Sequence, residues 1–180
     1  MITVISATNR PHSATHVVAT AYLNILTELG EEAQLLSFTD LPEGWVHADM
    51  YKGSEQLPAL SAIQDRYIIA PQKIVYVVPE YNGSIAGILK LFIDACSVRH
   101  YKESFRFKKA ALVGVASGRS GNLRGMEHLT GMLNHVQTIV HPNKLPISQV
   151  ESLMNATKTE LADAATLQQI RAQAEQLIAM

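Results

Sequence analysis

Lys73-Ile74-Val75-Tyr76-Val77-Val78-Pro79-Glu80-Tyr81-Asn82-Gly83-Ser84-Ile85-Ala86-Gly87-Ile88-Leu89-Lys90-Leu91-Phe92-Ile93-Asp94-Ala95-Cys96-Ser97 is the stretch whose reading decides the fold. Its apolar run, Ile74 to Val78, is short, rich in β-branched residues and closed by a proline, which is the pattern of a buried parallel strand. The residues from Ile85 to Cys96 repeat apolar positions at helical spacing. Between them, Gly83 admits a backbone conformation that side chains disfavour, and Ser84 is placed to cap the helix. The unit is therefore a strand, a tight polar loop and a helix N-terminus. In an open parallel sheet, loops at the carboxyl ends of strands bind ligands. The spacing alone names no ligand.

Upstream, Ile2 to Ile5 reads as a strand, followed by a hydroxyl-rich segment from Ser6 to Thr15 that contains Arg10. Val18, Tyr22, Ile25, Leu26 and Leu29 then recur at helical spacing, and Gly30 supplies a stop. Ala33 to Phe38 is a second strand, so the opening third reads β-α-β. Asp40 to Gly53 is an irregular loop, and a helix is expected from about Glu55 to Ile69, ended by Pro71. Downstream, Arg99 to Lys109 is a basic surface crossover whose aromatics, Tyr101, Phe105 and Phe107, are expected to tuck under the sheet. Ala110 to Ala116 is a fourth apolar strand, opening into Ser117-Gly118-Arg119-Ser120-Gly121-Asn122. Met126 to Val136 is helical, Thr138 to Val140 is a short last strand, and the tail from about Lys158 to Ile178 is a long polar-faced helix. Five strands alternating with helices imply a doubly wound α/β domain over residues 1–180.

The 180 residues are 47% hydrophobic and carry a formal net charge of −1, the profile of one ordinary globular domain. Without a basic stripe there is no electrostatic footprint for nucleic acid. No apolar run approaches the roughly 20 residues that span a bilayer, and no secretory signal pattern opens the chain. A cytoplasmic protein is expected. The single cysteine, Cys96, lies among apolar helix residues and reads as core filler rather than nucleophile. His12 and His16, four apart, lack a third ligand at metal-site spacing, so no metal site is expected.

Three polar loops fall at the same sheet edge. In the first, Thr8, Ser13 and Thr15 offer hydroxyls, Arg10 offers charge-assisted donors, and the helix beginning near Ser13 offers free amides, a set suited to a phosphate. The glycine pattern of a dinucleotide site and the P-loop lysine signature are both absent. Pro79, Glu80, Tyr81, Asn82, Gly83 and Ser84 form a flat polar edge with one aromatic ring. Ser117, Gly118 and Arg119 complete the set, with backbone that a ligand can approach closely. Read singly, the hydroxyls could cap a helix and the glycines could serve turns. Read together, the loops suit a ligand with a phosphate at one end and a planar ring at the other.

Pro79-Glu80-Tyr81-Asn82-Gly83-Ser84, with Ile85-Ala86-Gly87-Ile88-Leu89-Lys90 and Asp94 after it, resembles the middle-loop motif of the NADPH-dependent FMN reductase family almost residue for residue. That family includes azobenzene, chromate and quinone reductases, and the resemblance covers nearly the whole chain. It implies a flavodoxin-like five-stranded parallel sheet of order 2-1-3-4-5 with helices on both faces. By the same resemblance Thr8, Arg10, Ser13 and Thr15 would hold the FMN phosphate, and Ser117, Gly118 and Arg119 would lie beside the isoalloxazine ring. Hydride would pass from NADPH or NADH to FMN and then, in a ping-pong scheme, to a small-molecule acceptor such as a quinone, an azo compound or a flavin. No catalytic acid or base is required of the protein, and none is assigned. A homodimer or homotetramer is implied by the resemblance. The competing readings are an FMN-binding electron carrier or flavin store, and a phosphate-binding regulatory module without redox function. The chain departs from the family at Ala7, where a glycine is common, and at Gly121-Asn122, where a glycine pair is common. The second departure bears on how the nicotinamide donor approaches.

Overall fold

A computed structural model describes residues 1–52 and 56–180. Its strands are β1 (Ile2–Ser6), β2 (Ala33–Ser37), β3 (Lys73–Pro79), β4 (Lys109–Val115), β5 (Ile139–Val140) and β6 (Leu145–Ile147). Its α-helices are α1 (Ala14–Glu28), α2 (Pro58–Gln64), α3 (Gly87–Val98), α4 (Tyr101–Phe105), α5 (Leu123–His135) and α6 (Ala164–Ala179). The sheet runs β2-β1-β3-β4-β5, and every pairing is parallel. This is the flavodoxin-like order expected from the sequence. Among the described residues no helix is long and apolar enough to cross a membrane.

Residues alternate between two cores along each strand, as the two-residue period requires. Ile74, Tyr76, Val78, Ala110 and Leu112 pack against α2, α3, α4 and α5, with Phe92 at the centre of that layer. Val4, Val75, Val77, Ala111 and Val113 face the other way, onto Val18, Tyr22 and Leu26 of α1 and Ile170, Ala174 and Leu177 of α6. Strands sandwiched in this way need apolar side chains on both faces, which is why β3 and β4 read as continuous hydrophobic runs.

The fifth position of the sheet differs from expectation. It is shared by two short segments on the same edge of β4: β5 pairs Lys109 and Ala110, and β6 pairs Val113 to Val115. Pro142 lacks an N–H and interrupts the ladder between them. Leu145-Pro146-Ile147 is too short and too proline-marked to read as a strand from its sequence. Thr138 lies just before β5, buried, with its hydroxyl donating to the Phe105 carbonyl at 2.9 Å.

Several boundaries also move, among them the start of α5, at Leu123 rather than Met126. The central helix starts at Gly87, with Ala86 as its N-cap and no side-chain cap, because Ser84 is engaged elsewhere. The helix expected from Glu55 begins at Pro58, its expected first residue lying outside the described residues, and it ends in one π-helical turn, Asp65–Ile69. The crossover 99–109 contains α4; Phe105 is buried and Tyr101 packs beside it, whereas Phe107 is exposed with the Arg106 guanidinium 4.8 Å from its ring centre. The tail helix starts at Ala164, where Asp163 accepts the Thr166 amide at 2.8 Å, so Lys158 precedes it. In the loop after β2, Trp45 is buried edge-on against Phe92 at 6.3 Å while Tyr51 is exposed.

Candidate functional site

The carboxyl ends of β1, β3 and β4 bring the three polar loops to one edge. The first is anchored where the Ala7 amide donates to the Val77 carbonyl at 3.0 Å. Thr8 is buried; its hydroxyl accepts the Arg10 amide at 3.1 Å and shares a 2.7 Å hydrogen bond with the Tyr81 phenol. That bond ties the first loop to the second. Ser13 caps α1 in extended backbone, its Oγ accepting the His16 amide at 3.2 Å. The first turn of α1 carries no acidic side chain. The His16 amide is taken by Ser13, but the Ala14 and Thr15 amides ahead of it have no partner within the helix, and the dipole adds positive potential, so the site is built for an anion. His12 sits before this cap at φ 52, outside the helix, and so shares no helix face with His16. Among the described residues no group of three or more His, Cys, Asp or Glu could hold a metal.

The middle loop is a tight turn. Tyr81 and Ser84 exchange backbone hydrogen bonds of 2.9 and 3.1 Å, and the two residues between them, Asn82 and Gly83, have φ of 52° and 73°. Positive φ at both central positions marks a type I′ turn, for which Asn-Gly is a favoured pair. A Cβ at Gly83 would lie 3.0 Å from Arg124 Nη1, so the turn also touches the start of α5. Ser84 does not cap α3; its hydroxyl pairs with His128 Nδ1 at 2.8 Å.

Glu80 is a brace as well as a wall. Its amide donates to the Val115 carbonyl at 2.9 Å, and its carboxylate accepts the Ser120 hydroxyl and, at 3.3 Å, the Asn122 amide. Asn122 stands at φ 59, and its Nδ2 donates to the Val78 and Pro79 carbonyls at 3.1 and 2.9 Å. Asparagine tolerates the left-handed region, which accounts for its standing where the family resemblance leads one to expect a second glycine. Being buried, its side chain fastens the third loop to the end of β3 and offers no surface to a nicotinamide donor. Gly121 permits this corner: at φ 55, a Cβ there would fall 2.6 Å from Pro146 Cβ.

A cavity of about 580 Å³ opens among these loops. Of the residues expected at the site, Arg10, Ser13, Thr15, Pro79, Glu80, Tyr81 and Ser117 line it. Thr8 lies beneath, behind the Tyr81 hydroxyl. Asn82, Gly83, Ser84, Gly118 and Arg119 are not part of the lining: the first three form the turn beside it, while the Gly118 and Arg119 carbonyls are held by Gln149 and Ser148. Val150, Glu151, Met154 and Lys158 also wall the cavity, a contribution missed because the residues ahead of α6 carry no recognisable motif. The Ser117 hydroxyl donates to Glu151 Oε1 at 2.5 Å, and this bond is the main cause that holds the Glu151 carboxyl below the usual range. Cys96 is buried and is not part of the cavity lining, and burial pushes its thiol up from the ordinary value.

The donor set matches a flavin mononucleotide: hydroxyls, a guanidinium and free helix amides at one end, and the Tyr81 ring with the strand ends at Pro79 and Val115 at the other. Residues 1–152 match the model of the family described as NADPH-dependent FMN reductase. An NAD(P)H-dependent FMN reductase of Pseudomonas aeruginosa is 36% identical over 99 residues, 55% of this chain and 51% of that protein, so the chain matches about half of that relative's length. Among solved structures, the flavoenzyme NAD(P)H:(acceptor) oxidoreductase FerB of Paracoccus denitrificans is similar with a TM-score of 0.81 at 22% identity, covering 99% of this chain and 94% of that one. A flavodoxin from the domain Archaea reaches a TM-score of 0.60 at 12% identity, covering 99% and 97%. These two likenesses are likenesses of fold. The matched residues contain all three loops, and the chain belongs to the NADPH-dependent FMN reductase family.

Proposed function

We propose that the protein is an FMN-dependent NAD(P)H oxidoreductase that passes electrons to a small-molecule acceptor such as a quinone, an azo compound or a free flavin. The observation that carries this reading is the single cavity in which the first turn of α1, with Arg10 and Ser13, meets the Tyr81 turn and Ser117. FMN, when bound, supplies the hydride-accepting and hydride-donating chemistry. The protein binds and orients. Arg10, Ser13, Thr15 and the α1 amides hold the phosphate. Thr8 holds Tyr81 through its hydroxyl and so fixes the angle of the ring that walls the site. The Asn82-Gly83 turn lies beside the cavity and, by closing between Tyr81 and Ser84, holds Tyr81 at its wall. Glu80, held by Ser120 and Asn122, keeps the second and third loops at a constant separation. No side chain is assigned a proton-transfer role.

The test is a visible spectrum of the purified protein after incubation with FMN and removal of the excess, followed by anaerobic NADPH or NADH. A retained flavin band that bleaches on addition of the donor is expected. A retained band that persists would make the protein an electron carrier or flavin store, and no retained band would remove the flavin reading. Arg10→Ala and Ser13→Ala should each weaken FMN binding roughly tenfold, as expected for loss of a charge-assisted or phosphate-directed hydrogen bond. Unchanged affinity in both would overturn the assignment of the first loop.

A further inference from the structure

The last wall of the cavity comes from the segment after β6, and Met154 and Lys158 lie beyond residue 152, where the family match ends. This segment is a built arm. Met154 and Leu161 form an antiparallel bridge, and the amides of Ala162 and Asp163 both donate to the Leu153 carbonyl, at 2.8 and 3.0 Å. Asn155 closes the turn from within: its Oδ1 accepts the Thr159 and Glu160 amides at 2.9 and 3.3 Å, and its carbonyl accepts the Lys158 amide at 2.9 Å. Leu161 roots the arm in the core beneath α1 and α6. Lys158 stands at the turn with φ 56, a left-handed conformation uncommon for a residue with a side chain. There it lines the same cavity as Arg10, His12 and Ser13. Among the described residues neither Lys158 nor Arg10 has a carboxylate within salt-bridge distance. Beside the Ser117 hydrogen bond, the Lys158 charge does help to hold the Glu151 carboxyl of the same cavity below its usual range, so a phosphate entering there competes with Glu151 for the ammonium.

We propose that Lys158 is a second phosphate-binding cation of this site, delivered by an arm outside the family's matched region, and that it pairs with the FMN phosphate alongside Arg10. A phosphate monoester carries nearly two charges near neutral pH, and Arg10 supplies one. An ammonium on a flexible stem complements the fixed fork of a guanidinium. The pinned turn gives that stem a fixed base, which lowers the entropy lost when the ammonium is placed. The inference rests on the flavin reading above.

The experiment compares FMN with riboflavin, which has the same ring and no phosphate, by titrating flavin fluorescence with the full chain at low salt. Lys158→Met should weaken FMN binding roughly five- to tenfold, the range for one exposed charged contact, and leave riboflavin binding unchanged. Lys158→Arg, which keeps the charge, should stay within about twofold of wild type for both flavins. Unchanged FMN affinity in Lys158→Met, or an equal loss for riboflavin, overturns the proposal while leaving the flavin site standing. If the wild type binds neither flavin, the functional reading fails and this inference fails with it.

Discussion

Replacing Asn122 by glycine removes one buried side chain while keeping the backbone where it is, because φ 59 costs glycine nothing. Two carbonyls lose a donor. Val78 keeps its place in the β3–β4 ladder opposite Gly114, so its loss is one net hydrogen bond, about 1 kcal/mol. Pro79 closes the strand, and its carbonyl, deprived of Asn122 Nδ2, incurs the cost of a buried acceptor without a partner, about 1–3 kcal/mol. Asn122 Oδ1 is itself buried without a partner, and its removal offsets a fraction of this. With that offset, the net loss for Asn122→Gly is about 1–3 kcal/mol. Asn122→Ala should lose about 1 kcal/mol more, since it adds left-handed strain to the same missing bonds. Urea denaturation of the flavin-free protein measures both, and an unchanged m-value would show that the denatured state is not the cause. A glycine variant within about 0.5 kcal/mol of wild type, or an alanine variant no worse than the glycine one, would refute the account of this corner.

Gly121→Ala meets both a left-handed backbone and Pro146, with Cβ 2.6 Å from Pro146 Cβ, and should cost roughly 2–5 kcal/mol. Gly118→Ala has open space around its Cβ and should cost under about 1 kcal/mol in the same melts; equal losses would contradict the packing argument. Stability should fall as pH rises above about 10, because burial raises Cys96, Tyr22 and Tyr76 above their ordinary values of 9.0, 10.0 and 10.0, so the folded chain keeps protons that the unfolded chain releases. Lys108 opposes this, since burial lowers it to about 8 against 10.5 and its protonation favours the unfolded chain between those values. Because the Lys108 and Cys96 contributions cancel between about pH 9 and 10, denaturation midpoints should decline only above about pH 10, and a profile that stays flat or rises there would sink the assignment.

Much of the site was legible because the residues that build it are adjacent in the chain. The Asn82-Gly83 pair specifies its turn through local φ preferences, and Ser13 caps α1 through a bond to a residue three positions on. Ser84 shows where that logic stops. Its composition suits a cap, yet its hydroxyl goes to His128, forty-four residues away. Glu80 reads as a solvated loop charge until Ser120 and Asn122 are seen to hold it. Nor does any pattern mark β6, where three residues with a proline become a strand only because β4 offers them an edge.

By itself, the sequence determined the layered α/β architecture, the strand order its resemblance implied, and the three loops, because burial on two faces and local turn chemistry are written in short runs of residues. The tertiary structure alone decided which loop residues face the cavity, that Asn122 stitches β4's loop to β3's end, and that the arm carrying Lys158 closes the site. Those outcomes depend on hydrogen bonds and packing between segments distant in the chain, and no spacing along the sequence encodes the distance between them.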